Sequence, residues 1–326
     1  MNLILDVTFI IVGLTLLAWS ADKLVLYAVS LAKHLHISPF LIGIVIIGFG
    51  TSAPEMLVSA LAALDDVGGI AIGNALGSNI ANIGLVLGFA ALFSPLLISK
   101  KVLKADLSVL FVITFLTIGL LLDRHLSTLD GIILICSLVG FLLWSAYNDK
   151  KEDKSTTSQE EDEFDLEGQP EESLLKSSLW TLISLALLLG SSKMLLDGAV
   201  GISQALGISD LMIGLTVVAI GTSMPELAAS IAAAKQKQTG LIIGNILGSN
   251  AFNTLGVLGI VGLLSDTNVD PEVLQRDFTV LFTIMILLTA LAFLRGRLGK
   301  LSGTLLLSSY FGYLGFLIYN ALTLAA

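Results

Sequence analysis

Gly50-Thr51-Ser52-Ala53-Pro54-Glu55 places a proline and a carboxylate inside an apolar run long enough to cross a membrane. The stretch recurs 171 residues later as Gly221-Thr222-Ser223-Met224-Pro225-Glu226, with five of the six residue types retained. A second block repeats at the same offset. Gly73-Asn74-Ala75-Leu76-Gly77-Ser78-Asn79 with Asn82 becomes Gly244-Asn245-Ile246-Leu247-Gly248-Ser249-Asn250 with Asn253. From Gly50 to Gly88 roughly half of all positions match their partners without a gap, which marks an internal duplication.

Composition fixes the solvent. At 55% hydrophobic and 13% charged residues, with a mean hydropathy of +0.92, the 326-residue chain is far too apolar for a soluble domain. Its apolar runs also lack the polar faces at helical period that soluble helices carry. The chain therefore reads as a polytopic membrane protein whose partner is the lipid bilayer, with no nucleic-acid signal and no obligate protein partner. The net charge of −9 says little, because much of the acid lies between Glu152 and Glu172, which reads as a solvated loop. Cys136 is alone, so it forms no disulfide framework and reads as interior filler. The apolar run from Leu3 has no basic leader or small-residue cleavage site, as expected of a retained first helix.

Apolar runs near twenty residues define ten expected spans. They run from about Asp6 to Lys33, Pro39 to Leu64, Gly68 to Phe93, Ala105 to Leu122 and Leu129 to Tyr147, then Ser177 to Ala205, Leu211 to Ala234, Gly240 to Leu264, Phe278 to Leu294 and Leu301 to Leu324. Residues 1–147 form the first repeat, with its motif region at 48–88. Residues 148–176 form an acidic connector, and 177–326 the second repeat, with its motif region at 219–259. Five spans per half is an odd number, so the second half enters from the opposite side and the repeats are inverted. Lys33, Lys100, Lys101, Lys104, Lys150, Lys151, Lys154, Lys176, Lys235, Lys237, Arg295, Arg297 and Lys300 then share one side; only Lys23, Arg124, Lys193 and Arg276 do not. The positive-inside rule makes that side cytoplasmic, with both termini and the Asp65-Asp66 turn outside. Asp65, Asp66, Asp270 and the three histidines, His34, His36 and His125, are expected to face water. Asp22, Lys23, Lys193 and Asp197 read as local ion pairs or snorkelling ends.

The repeated motif has the chemistry of a cation site. Pro54 has no N–H and crowds the carbonyl of Gly50, and Pro225 does the same to Gly221, so the second and seventh helices must kink or break. Such breaks survive in a membrane where they line a buried or wet site, and paired breaks in inverted halves point to a transporter's midplane site. Glu55 and Glu226 would each cost roughly 2.5–3.5 kcal/mol or more if ionised and uncompensated there. A bound cation compensates them. Ser52 and Ser59 share a helix face with Glu55, as Ser223 and Ser230 do with Glu226. Ser78 and Asn82, and likewise Ser249 and Asn253, present neutral oxygens at a spacing of four. Gly73, Gly77, Gly244 and Gly248 permit close backbone approach. A donor set made only of oxygen suits Na⁺, Ca²⁺ or Mg²⁺, and Ca²⁺ tolerates an irregular cage better than Mg²⁺ does. No Ser-His, Cys-His or clustered-histidine arrangement lies within the spans, which argues against an intramembrane enzyme.

At these residues the sequence resembles the sodium/calcium exchangers of the calcium/cation antiporter superfamily, in particular short prokaryotic members without a regulatory domain. The resemblance implies an all-α membrane protein of ten transmembrane helices, built as two inverted-topology five-helix repeats with helices 2, 3, 7 and 8 broken around a central cation site. It implies that Glu55 and Glu226 ligate Ca²⁺ and take part in Na⁺ binding. Ser52, Ser78, Ser223 and Ser249, with Thr51 and Thr222, would then supply Na⁺ ligands, together with the backbone carbonyls of Gly48 and Ala219. Asn82 would lie at the centre. Some relatives carry aspartate where this chain has Asn253, so the site here has two strong acids, not three. The resemblance further implies a cell-membrane antiporter that exchanges Ca²⁺ for Na⁺ and has no cofactor. Proton-coupled Ca²⁺ exchange and a passive cation channel are the rival readings of the same residues.

Overall fold

The computed structural model describes residues 3–65, 67–98, 105–152, 172–208 and 213–324. Residues 153–171 of the acidic connector, Asp66, Lys100, Lys101, Lys104 and Lys154 lie outside the described residues.

The first and sixth spans are the helices Leu3–Leu35 and Leu174–Ala205, 33 and 32 residues long. At 1.5 Å per residue each is about 50 Å long, well beyond the hydrocarbon thickness of about 30 Å. They lie along one another on small residues. A Cβ added to Gly13 would sit 2.9 Å from the Leu195 nitrogen, and one on Gly198 would sit 2.6 Å from the Asp6 carbonyl oxygen. Ser30 and Ser177 share a hydrogen bond of 2.8 Å near one end of the pair. Tyr27 stacks on Trp180 at 5.5 Å, and Trp19 meets the same ring edge-on.

The third and eighth spans, Gly68–Phe93 and Thr239–Leu264, form the centre. Their most apolar windows are 78% and 89% buried within the protein, against 17% for the first span and 28% for the sixth. The outer helices thus give their remaining apolar surface to lipid. The fourth, fifth, ninth and tenth spans are Leu107–Leu120, Thr128–Glu152, Val273–Arg295 and Lys300–Leu324. The fifth leans on the eighth where Gly131 meets the Gly259 carbonyl and the Gly262 backbone. The tenth leans on the third where Gly303 meets the Gly88 carbonyl. These are equivalent contacts in the two halves, each made by paired small residues that let backbones approach.

All four motif-bearing spans leave α-geometry at equivalent places. The second span runs through Pro39–Ile42, a π-helical Gly43–Gly48, Phe49–Thr51 and Ala53–Leu64, with a bend of 43° at Ser52. The seventh runs through a π-helical Gly214–Val218, Ala219–Gly221 and Met224–Lys235. In the third and eighth spans the interruption is a π-helical segment, Asn82–Val86 and Phe252–Val257. A π-turn spaces its hydrogen bonds one residue wider than an α-turn and is found mostly at functional sites.

Two short strand pairs show the sense of the repeats. The strand β1 (Leu96–Leu97), just after the third span, pairs with β4 (Arg297–Leu298), just after the ninth. The strand β2 (His125–Leu126), after the fourth span, pairs with β3 (Thr267–Asn268), after the eighth. Within either half the third and fourth helices end on opposite sides. Joining the end of one half's third helix to the end of the other half's fourth therefore requires halves that enter in opposite senses, so the fold is an inverted repeat.

The periphery brings one correction. Cys136 is exposed on the fifth span rather than buried as filler. In a membrane both faces of a span are apolar, so a small apolar side chain gives no sign of which face it occupies. Lys193 pairs with Asp197 at 3.0 Å on the exposed face of the sixth span, as a local ion pair.

Candidate cation site

The site is built on the two helix restarts. Ser52 and Ser223 stand at the N-caps of Ala53–Leu64 and Met224–Lys235, with Pro54 and Pro225 in the first turn and Glu55 and Glu226 just behind them. A serine followed three residues later by glutamate is the pattern of a capping box, in which each side chain satisfies a backbone N–H at the helix start. Here the box is not made. The Ser52 N–H goes instead to the Gly48 carbonyl at 3.2 Å, and neither Ser52 nor Ser223 makes a side-chain cap.

What the motif leaves unmade it leaves available. Glu55 and Glu226 are each only 1% exposed, and among the described residues none of the four carboxylate oxygens has a hydrogen-bond partner. The same holds for the Ser52 and Ser223 hydroxyls and for the side-chain nitrogens and oxygens of Asn82 and Asn253, all buried. The two carboxylates lie close enough for their charges to interact, with Thr51 beside Glu226. Among the described residues no third acid, imidazole or thiol joins them in a cluster. Buried carboxylates without a counter-charge are strongly unfavourable, so this arrangement calls for a cation or a proton.

Three of the other expected residues gather on the side of the first break. Thr51 is fully buried and donates to the Ile47 carbonyl at 3.0 Å; it also lies 3.4 Å from Asn245 Oδ1 and 3.5 Å from Ser249 Oγ. Ser249 in turn lies 3.4 Å from the Gly48 carbonyl. Gly48, Thr51 and Ser249 are thus brought together, and Ser78 is buried on the third span. Thr222 is half-buried where Thr51 is fully enclosed, and Ala219 opens the short helical turn Ala219–Gly221 before the second break.

Two asparagines given no role by the sequence reading act as struts. Asn245 Nδ2 donates to Ser230 at 3.3 Å, and Asn74 Nδ2 donates to Ser59 at 3.1 Å at the equivalent place in the first half. The recurrence of Asn74 and Asn245 within the duplicated block was the signal for them. Asn79 Nδ2 donates to Thr254 at 2.6 Å and ties the third span to the eighth. Thr254→Val keeps the shape and strands a buried amide, so it is expected to lower thermal stability by about 1–3 kcal/mol, measured by melting the purified protein in detergent.

The sequence model of the sodium/calcium exchanger protein family matches residues 5–147 and again 176–319. The chain belongs to the sodium/calcium exchanger family. It is 40% identical over 311 residues to CaxA of Alkalimonas amylolytica, named as a candidate antiporter, covering 94% of this chain and 96% of the relative. It is 35% identical over 318 residues to the inner membrane protein YrbG of Escherichia coli (strain K12), covering 97% and 98%. The solved structure of the sodium-calcium exchanger NCX_Mj, soaked with zero Na⁺ and Ca²⁺, superimposes with a TM-score of 0.83 at 33% identity, over 97% of this chain and 100% of that one.

In this exchanger the two halves are alike in residues but not in packing. On one side of the site the second and eighth spans touch backbone to backbone. A Cβ on Gly43 would lie 2.7 Å from the Leu241 carbonyl oxygen, one on Gly248 would lie 2.8 Å from the Ile44 Cα, and one on Gly244 would collide with the Phe40 carbonyl. On the other side Gly73 is exposed and Gly77 half-buried, and no described atom comes within 4 Å of a Cβ built on either. Among the described residues the seam is closed at Gly43 and Gly244, whereas Gly73 is exposed; Leu211, the equivalent of Phe40, lies outside the described residues.

Proposed function

We propose that this exchanger carries Ca²⁺ in one direction against Na⁺ in the other, by alternating access to a single site built on Glu55 and Glu226. The observation that carries the reading is the set of four buried carboxylate oxygens without a partner among the described residues. Two ionised glutamates neutralise one divalent cation. The hydroxyls of Thr51, Thr222, Ser52, Ser223, Ser78 and Ser249, the side chains of Asn82 and Asn253, and the carbonyls of Gly48 and Ala219 complete the cage. Na⁺ takes the same oxygens, so either load permits the switch of access while the empty, doubly charged site resists it. With Asn253 neutral, three Na⁺ would leave a net positive charge, so a three-for-one exchange would feel the membrane potential. The two-repeat division at 148–176 and the basic-residue pattern support a chain with both termini outside and the connector in the cytoplasm.

Flux in proteoliposomes tests this. Ca²⁺ uptake should follow an opposing Na⁺ gradient, and uptake indifferent to it would sink the claim. Proton-coupled Ca²⁺ exchange is the second reading, favoured by carboxylates that a proton can also neutralise; a pH gradient driving uptake without Na⁺ would select it. Flux that needs no counter-ion would select a passive channel. Protons compete with metal for the glutamate oxygens under either antiport reading. Acidification is therefore expected to raise the apparent KM for Ca²⁺ and to leave the rate at saturating Ca²⁺ unchanged, as read from initial rates over a pH series.

A further inference from the structure

Pro225 offers no N–H to the Gly221 carbonyl, which is left without its helical partner at the break in the seventh span. Ser192 of the sixth span supplies one. Its hydroxyl, almost fully buried, donates to the Gly221 oxygen at 3.3 Å. One turn further on, Leu196 covers Gly221, where an added Cβ would meet its Cδ1 at 2.6 Å. The sixth span also reaches the first break, because Leu185 lies against Gly50. One helix therefore crosses both breaks in this state.

Among the described residues the first half holds no equal of this tie. Pro54 frees the Gly50 carbonyl in the same way, but the position equivalent to Ser192 in the first span is Ala21, buried and without a donor. Inverted repeats exchange roles when a transporter changes access. In the exchanged state the first span would cross both breaks, and Ala21 would face Gly50 where Ser192 now faces Gly221.

We propose that Ser192 is a positioning residue that ties the sixth span to the broken seventh and so favours the access state seen here over the opposite one. The proposal rests on the alternating-access reading above. A net hydrogen bond of ordinary strength shifts such an equilibrium by about fivefold. Apparent affinity scales with the fraction of protein in the state that binds, so the shift appears with opposite sign at the two membrane faces.

The test is Ca²⁺ self-exchange, which needs no coupling ion, with the apparent KM measured at each face in vesicles of defined orientation. Ser192→Ala is expected to raise the KM at one face and lower it at the other by a combined factor of about five, and Ser192→Thr to restore both. Ala21→Ser, which installs the mirror tie, should move both values in the same directions as Ser192→Ala. KM values that are unchanged, or that rise together at both faces, would overturn the proposal; so would Ser192→Thr behaving as Ser192→Ala. Should Ser192→Ala fail to fold, Ala21→Ser decides alone, and no movement there counts against the tie. A wild-type protein that self-exchanges Ca²⁺ but ignores Na⁺ gradients would instead refute the Na⁺ coupling and leave this test standing.

Discussion

Glu55→Gln is expected to lose at least about a hundredfold in Ca²⁺ exchange while the protein remains folded. Glutamine keeps the shape of the side chain at a position only 1% exposed, so packing is preserved. It removes one of the two charges that neutralise a divalent ion. A buried ion left with half its counter-charge loses about 3–5 kcal/mol, equivalent to more than two orders of magnitude in binding. Stability should move the other way. Without cations the wild-type site holds two carboxylates whose oxygens have no partner and whose charges interact. Glutamine removes the cost of burying one of these carboxylates, so cation-free Glu55→Gln should melt at or above the wild type, while its Ca²⁺-dependent rise in Tm largely disappears. Flux and melting curves with and without Ca²⁺ check the two halves of this expectation. Glu226→Gln should behave alike, and retained exchange in either variant would remove that residue from the site.

The duplication is what singles out the candidate site residues in the sequence. Proline and glutamate inside an apolar span are local anomalies, and recurrence at a fixed offset of 171 makes each a candidate half of one site rather than a plain kink. The odd number of spans per half gave the inversion, which the β1–β4 and β2–β3 ladders then bear out. Identical residues, however, do not reveal unequal surroundings. Gly73 and Gly244 hold the same place in the motif, yet Gly73 is exposed with no described atom against it while Gly244 lies against the Phe40 carbonyl. The hydrogen bond from Ser192 to Gly221 joins residues 29 apart on different helices and carries no sequence signature. The π-helical form of the interruption at Asn82–Val86 and Phe252–Val257 was hidden for another reason. Neither segment contains a proline, so no covalent feature of the sequence marks the widening. Cys136 shows the limit of reading apolar residues in lipid, where inside and outside look alike.

Gly244→Ala should be among the most damaging single-methyl substitutions in this exchanger, and Gly73→Ala among the mildest. Alanine favours a helix over glycine by about 1 kcal/mol, so helix propensity alone would make both changes stabilising. At Gly244 the new methyl has no room. It meets the carbonyl of Phe40 and lies 3.2 Å from the Gly43 Cα, and both belong to backbone that cannot turn aside as a side chain would. Overfilling a packed interior costs about 1–3 kcal/mol where side chains can adjust, and parting two backbones belongs at or beyond the top of that range. The consequence also reaches the site. The same seam holds the Gly48 carbonyl beside Ser249 and Asn245 beside Thr51, so prising the second and eighth spans apart spreads the oxygens that gather there. Gly244→Ala is therefore expected to lower thermal stability and to weaken Ca²⁺-dependent stabilisation together. Gly73→Ala meets no described atom within 4 Å and should leave melting and cation binding near wild type. Because the two positions are equivalent in sequence, the pair is its own control. Melting temperatures and Ca²⁺ titrations that respond equally to both substitutions would show that the closed and open seams are not distinct.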